Sequence, residues 1–207
     1  MKLQLALDLL HVEEARSLLA DIADVVDIVE IGTPLIMQEG IKAVFVIKQA
    51  YPHLEVLADL KIVDAGKLET QIAVDAGADI VTVLGVAHNT TIRNALDQAH
   101  QHGRQVMVDL LSVSNVQARA RELELMGADY ICVHTAFDVQ SQQNPLQELK
   151  QLKQVLRQTK TAVAGGIKPD TLPEIVTHQP DVIVVGGYVV NHKNKRQAAL
   201  EIKKYLR

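Results

Sequence analysis

The sequence predicts an α/β fold, a single-domain (β/α)8 TIM barrel spanning residues 1–207. Three observations predict it. Eight short apolar runs alternate strictly with eight helical patterns, the order that builds a parallel sheet. The runs, such as Ile80 to Leu84 and Val182 to Val185, are apolar throughout rather than striped with a period of two, as strands covered on both faces are. Asp27, Asp79, Asp129 and Asp181 open every second strand at a spacing of about 50 residues, the length of two βα units. A doubly wound open sheet, the competing arrangement, usually carries a Gly-rich nucleotide turn after its first strand, and Asp8-Leu9-Leu10-His11 is no such turn. At 207 residues the chain holds one substantial core and lies near the lower end for a closed barrel.

In chain order, Leu3 to Leu7 form an apolar strand ending at Asp8, followed by a helical pattern over Val12 to Val25. The run Ile28-Val29 ends in Glu30-Ile31-Gly32, and a helix starts near Pro34, a residue suited to a first turn. Strand Glu55 to Ala58 stops at Asp59, so Asp59, Lys61 and Asp64 fall where strand passes into the helix Gly66 to Ala76. Strand Ile80 to Leu84 and helix Thr90 to His102 come next, then strand Val106 to Val108 ending at Asp109, and helix Val116 to Met126. Strand Tyr130 to Val133 ends at His134, ahead of a polar loop through Asn144 and a helix from Pro145 to about Arg157. Strand Thr161 to Ala164 runs into Gly165-Gly166, a short helix covers Leu172 to Val176, strand Val182 to Val185 runs into Gly186-Gly187, and a last helix occupies Arg196 to Leu206. Gly77 and Gly127 each end a helix just before one of the periodic aspartates.

Composition narrows the function. Aromatic residues make up 3% of the chain, Trp is absent and the net charge is −4, which excludes a stacking platform for nucleic acid. Lys193, Lys195, Arg196, Lys203, Lys204 and Arg207 read as the wet face of the last helix rather than as a basic stripe. Cys132 is the sole cysteine, so no disulfide forms within the chain, and an inert buried thiol in a reducing compartment is expected. No signal peptide precedes the first strand and no apolar run reaches membrane-spanning length, so the expectation is a cytoplasmic protein with neither membrane nor nucleic-acid partners.

In a closed parallel barrel the carboxyl ends of all strands meet at one mouth. The residues closing the strands are Asp8, Glu30, Asp59 with Lys61, Leu84 with Gly85, Asp109, His134, Gly165 with Gly166, and Gly186 with Gly187. Four acids around one lysine repel one another unless a cation joins them, and hard oxygen ligands suit Mg²⁺, with Glu30 and Asp59 on neighbouring strands as its ligands. Asp59 and Asp64 favour the ammonium form of Lys61, which makes it a charged donor to an oxyanion rather than a Schiff-base nucleophile. Asp64 can equally be a cap on the following helix. His134 is the choice for proton transfer, the common role of an imidazole. The glycine pairs close strands seven and eight, where barrels bind phosphate through bare backbone amides. The four periodic aspartates stand at strand beginnings, the stability face, and receive no chemistry.

With Asp59-Leu60-Lys61-Ile62-Val63-Asp64 following the third strand, the chain resembles the orotidine monophosphate decarboxylase suprafamily, marked by Asp-x-Lys-x-x-Asp at that place, and the resemblance spans its whole length. Orotidylate decarboxylases carry a lysine at the end of strand two. Here Glu30 stands there, which resembles the sugar-phosphate branch, where Mg²⁺ stabilises a 1,2-enediolate. That branch holds the 3-hexulose-6-phosphate synthases and the 3-keto-L-gulonate-6-phosphate decarboxylases. The decarboxylases have Glu, Arg and Thr where this chain has Asp109, Phe137 and Ala164, and the departures run toward the synthase pattern. Leu3-Gln4-Leu5-Ala6-Leu7-Asp8 and Ala162-Val163-Ala164-Gly165-Gly166-Ile167-Lys168 are similar to synthase motifs.

The resemblance implies an aldehyde-lyase that condenses ribulose 5-phosphate with formaldehyde, with decarboxylation of 3-keto-L-gulonate 6-phosphate as the alternative. It implies Mg²⁺ on Glu30 and Asp59, Lys61 facing the oxyanion, Asp64 orienting Lys61, and Asp8 and Asp109 on sugar hydroxyls or metal-bound water. Phosphate falls to Gly166, Gly186 and Gly187 beside Gly165, and Phe137 and Ala164 give formaldehyde a small apolar pocket. In that family the Asp64 position reaches in from a second subunit, which implies a homodimer with shared sites.

Overall fold

Eight parallel strands close on themselves in the computed structural model, which describes residues 1–206. They are β1 (Lys2–Leu7), β2 (Ile28–Ile31), β3 (Glu55–Ile62), β4 (Ile80–Leu84), β5 (Gln105–Asp109), β6 (Tyr130–His134), β7 (Lys160–Ala164) and β8 (Val182–Val185). Each pairs with its sequence neighbour, and Lys2 to Leu5 of β1 lie against Val182 to Val185 of β8 to complete the ring. Outside it run α1 (Val12–Ile22), α2 (Thr33–Glu39), α3 (Lys42–Ala50), α4 (Gly66–Asp75), α5 (Asn89–Gln101), α6 (Val116–Leu125), α7 (Leu146–Val155), α8 (Leu172–Val176), α9 (Gly187–Val190) and α10 (Lys195–Lys203).

Successive side chains on a strand point to opposite faces, so the apolar runs supply two cores at once. Leu3, Leu5 and Leu7 of β1 belong to the outer core, which β-branched residues such as Val29, Val56 and Val81 share with Leu19, Ile22, Ile47 and Leu152 of the helices. The alternate residues Ile28, Leu57, Ile80, Met107, Tyr130, Cys132, Ala162 and Val182 fill the barrel itself. Two residues further along the same inward-facing rows stand Glu30, Asp59, Thr82, Asp109 and His134. The site is therefore the top layer of the barrel filling, in which polar groups replace hydrocarbon.

The aspartates repeated along the sequence have a structural duty at the opposite end. Asp27 accepts the backbone N–H of Leu3 at 2.7 Å, Asp79 that of Val56 at 2.9 Å, Asp129 that of Val106 at 2.8 Å and Asp181 that of Thr161 at 2.7 Å. Each thus locks an even strand to the odd strand before it, and the barrel is four such pairs. Basic side chains complete three of the clamps: Lys203 on Asp27, Lys48 and Arg104 on Asp79, and the His100 ring at 2.8 Å on Asp129.

Several elements differ from the sequence reading. β3 does not stop at Ala58 but continues through Asp59 and Lys61 to Ile62, because a bulge lets the motif stay within the strand. The helix expected from Pro34 is two helices, α2 and α3, divided at Gly40, whose φ of 71° interrupts a single helix. The short α9 after β8 was not foreseen, since four residues are too few to show a period. A single 3-10 turn, Phe137–Val139, lies in the polar loop after β6. On the last helix Arg196 holds Asp24 at 2.6 Å and Lys203 holds Asp27, so these two serve packing and not only solvation; Arg207 lies outside the described residues.

Asp79→Ala leaves the buried N–H of Val56 and the cations of Lys48 and Arg104 without their acceptor. Urea unfolding of this variant is expected to show a loss of about 1–3 kcal/mol, with any activity per folded molecule unchanged.

Candidate active site

Between Ala58 and Ile62 the register of β3 against β4 slips: Ala58 faces Val81, yet Ile62 faces Val83, so β3 carries two extra residues there. Lys61 absorbs the excess in a left-handed conformation, φ 49°, which costs a non-glycine residue about 1–2 kcal/mol. Two contacts hold it. The backbone N–H of Lys61 donates to Thr82 Oγ1 at 2.9 Å, and its ammonium donates to Asp59 Oδ2. With this slip the ammonium lies against that carboxylate.

Asp59 is buried and anchored from three sides. Thr82 Oγ1 donates to Oδ1 at 2.8 Å, and Thr33 Oγ1 donates to Oδ2 at 2.8 Å beside Lys61. Burial opposes the Lys61 charge, but the charge and hydrogen bond of Asp59, with Asp109 and Glu30 adding to them, hold its ammonium above the ordinary lysine range. Lys61 is a permanent cation across working pH.

Glu30 retains 9% exposure, and its carboxyl is pushed up to about 8 by burial first and by the charges of Asp59 and Asp8 next. Asp8 is raised for the same reasons, burial and then Asp59, and packs against Gly32, where a Cβ would come within 2.2 Å of its Oδ1. Among the described residues no three His, Cys, Asp or Glu side chains form a ready metal cluster. The donor set nevertheless fits a hard divalent cation that takes one or two protein carboxylates and fills its other positions with water and substrate oxygens. Glu30 and Asp59 are crowded buried acids with one ammonium between them, and a cation relieves that crowding.

Across the mouth, His134 Nδ1 lies 2.8 Å from Asp109 Oδ2, while Asp109 Oδ1 accepts the backbone N–H of Leu111 at 2.9 Å. Asp109 therefore orients the imidazole and favours the tautomer with its proton on Nδ1, which leaves Nε2 with a lone pair. Asp109 is expected on substrate hydroxyls or metal-bound water; within the chain each of its oxygens has one partner, His134 on Oδ2 and Leu111 N–H on Oδ1. His134 and Asp59 both perturb Asp8, so the acids, Lys61 and the imidazole share one electrostatic environment.

At the ends of β7 and β8 the backbone is bare. Gly165 (φ 97°) would place a Cβ 2.3 Å from the Thr135 carbonyl oxygen and tolerates no side chain; Gly166 (φ 68°) has room for a Cβ but holds a left-handed conformation that strains one. Gly186 packs on Ala6 and Asp8, and Gly187 begins α9. Ala164 stands opposite His134 in the β6–β7 register, buried, whereas Phe137 is 84% exposed on its 3-10 turn. With one buried and the other in solvent, the two do not together line the small apolar pocket expected of them. Nor does Asp64 reach Lys61 within one chain: it is exposed and accepts the N–H of Ala65 at 2.7 Å, while the cation of Lys61 belongs to Asp59.

Thr33 and Thr82 are the residues that sequence reading missed. A threonine inside an apolar strand or at a helix start carries no chemical signature; only the register of β3 shows that both hydroxyls meet one carboxylate.

A model of the orotidine 5'-phosphate decarboxylase / HUMPS family matches residues 1–202. The 3-hexulose-6-phosphate synthase of Bacillus subtilis is 45% identical over 207 residues, 100% of this chain and 99% of that protein. A crystal structure of 3-hexulose-6-phosphate synthase from Salmonella typhimurium superposes with a TM-score of 0.97 at 43% identity, covering 100% of this chain and 98% of that one. A 3-keto-L-gulonate-6-phosphate decarboxylase from Vibrio cholerae shares the fold, with a TM-score of 0.88 at 23% identity over 99% of this chain and 96% of that one.

Glu30 makes stability depend on pH. Its folded-state value of about 8 lies above that of an unfolded glutamate, so the folded chain binds the extra proton between about pH 4 and 8 and loses stability as pH rises through that window. In protein stripped of divalent cations, Glu30→Gln is expected to raise the melting temperature at pH 8 by on the order of 5 °C and to change it little at pH 4. Differential scanning calorimetry at the two pH values checks this.

Proposed function

The chain belongs to the orotidine 5'-phosphate decarboxylase / HUMPS family, and from that premise we propose that it catalyses the condensation of D-ribulose 5-phosphate with formaldehyde to D-arabino-hex-3-ulose 6-phosphate. The observation that carries this reading is the opposition of two pairs at one mouth: an ammonium held by Asp59 and an imidazole oriented by Asp109. Full-length relatives at 45% and 43% identity bear the synthase name, against 23% for the decarboxylase.

An aldol addition needs a base for a C–H proton and a positive group for the negative charge that results. In the proposed reaction His134 Nε2 removes a proton from C1 of the ketose, made available as a base because Nδ1 is engaged by Asp109. The electron pair of that C–H bond moves into the 1,2-enediolate, whose negative oxygen faces the Lys61 ammonium. C1 then attacks the carbonyl carbon of formaldehyde, a C–C bond forms, and the formaldehyde oxygen takes the proton back. Glu30 and Asp59 would hold Mg²⁺, which when bound supplies further positive charge against substrate oxygens. The bare amides of Gly165, Gly166, Gly186 and Gly187 receive the phosphate, and Asp8, set between Gly32 and Gly186, is placed for a sugar hydroxyl.

A homodimer is part of the proposal. Val63, Leu68 and Ile72 are exposed on the loop and helix that carry Asp64, an apolar surface suited to a second copy, which would bring Asp64 to the neighbouring site. No helix among the described residues is long and apolar enough to cross a membrane.

Formaldehyde-dependent consumption of ribulose 5-phosphate is expected with Mg²⁺ and is expected to disappear with a chelator. Lys61→Ala should lower kcat by 10²–10³-fold, and Asp109→Asn, which spoils the tautomer, by at least tenfold. Faster turnover of 3-keto-L-gulonate 6-phosphate would reverse the assignment. Leu68→Glu should shift the sedimentation coefficient from dimer to monomer and reduce activity with it.

A further inference from the structure

One buried polar side chain has no part in the roles above. Gln4 points into the barrel from β1, is 1% exposed, and lies opposite Ile28 on β2 and Val184 on β8. Its Nε2 donates to Glu30 Oε2 at 2.6 Å, and its Oε1 is buried with no hydrogen-bond partner among the described residues. A Leu or Met matches hydrocarbon neighbours of this kind without stranding a carbonyl, so packing alone gives no reason for an amide here. The reason lies in the one bond it makes.

We propose that Gln4 is a positioning residue for the divalent cation, acting through Glu30; this rests on the Mg²⁺ reading above. The Gln4 N–H occupies Oε2 of the Glu30 carboxylate and fixes the plane of the group. Among the described residues Oε1 of Glu30 accepts no hydrogen bond, and the residue keeps 9% exposure, so Oε1 is the oxygen left for a metal. The relation repeats across the mouth, where Leu111 N–H holds one oxygen of Asp109 while the other works on His134. An amide beneath a carboxylate ligand sets its direction in the way that outer-shell partners commonly orient metal ligands, and losing such a partner typically weakens metal binding 10–100-fold.

The test reads metal binding, not turnover. Isothermal titration calorimetry with MgCl₂ is run on the full-length protein, on Gln4→Met and Gln4→Leu, and on Cys132→Ala, which changes the barrel filling from β6 and makes no hydrogen bond to Glu30. Folding of each is followed by circular dichroism. The Gln4 variants are expected to bind Mg²⁺ at least tenfold more weakly while folded, with Cys132→Ala within twofold of the parent. Mg²⁺ binding by folded Gln4→Met or Gln4→Leu within twofold of the parent overturns the proposal and leaves the Mg²⁺ reading intact; no Mg²⁺ binding by the parent protein overturns both. A second measurement needs no variant: the Gln4 side-chain amide signals in the ¹⁵N spectrum of the parent should shift as MgCl₂ is added. Their failure to move when the parent binds Mg²⁺ overturns the proposal as well.

Discussion

Crowding of like charge at the barrel mouth is the constraint on which the rest of the site depends. Parallel closure delivers Asp8, Glu30, Asp59 and Asp109 to one end, and a single ammonium, Lys61, accompanies them. Each buried carboxylate must find a donor or bind a proton. Asp59 is satisfied by Thr33, Thr82 and Lys61, and Asp109 by Leu111 and His134. Glu30 has Gln4 alone, and its carboxyl is the one that climbs to about 8. The imbalance is thus local, and it singles out the position at which an added cation lowers the energy most.

The same residue type behaves differently at the other end of the barrel. Asp27, Asp79, Asp129 and Asp181 each accept a backbone N–H of the preceding strand, and three of them also hold basic side chains. Position along a strand decides the surroundings of an aspartate here: at the start it fixes register, and at the end it joins the polar layer at the barrel mouth. The division also protects the site. Strand pairing is secured by the lower clamps, so the upper layer tolerates buried charge and a left-handed Lys61 without opening the sheet.

Most of the fold was legible because its signals are local and repeated. Apolar runs, strand-closing acids and aspartates spaced by two βα units all lie on the sequence itself. What escaped depends on register. That Thr33 and Thr82 share Asp59, or that Gln4 sits under Glu30, follows from which residues oppose one another across strands, information that no single segment carries. The bulge in β3 hid for the same reason, since the extra residues appear only when β4 is laid beside it. Asp64 illustrates a third kind of gap: its spacing from Lys61 is plain in the sequence, yet within one chain its carboxylate serves only the turn before α4.

Lys61 and His134 divide the electrostatic work of the proposed reaction, and their partners explain why each can do only its own part. Asp59 lies against the ammonium and raises its affinity for the proton, so Lys61 offers charge and cannot act as a base near neutrality. Asp109 contacts the imidazole through Nδ1 alone, so the ring keeps one nitrogen able to take a proton and give it back. Exchanging the partners would fail: a lysine beside Asp109 would remain charged and could not take a proton. Ala164, opposite His134 on β7, presents only a methyl group beside that imidazole. The base is what separates the two candidate reactions: addition to an aldehyde begins by taking the C1 proton, whereas departure of a carboxylate generates the enediolate without a base and uses only the return of a proton.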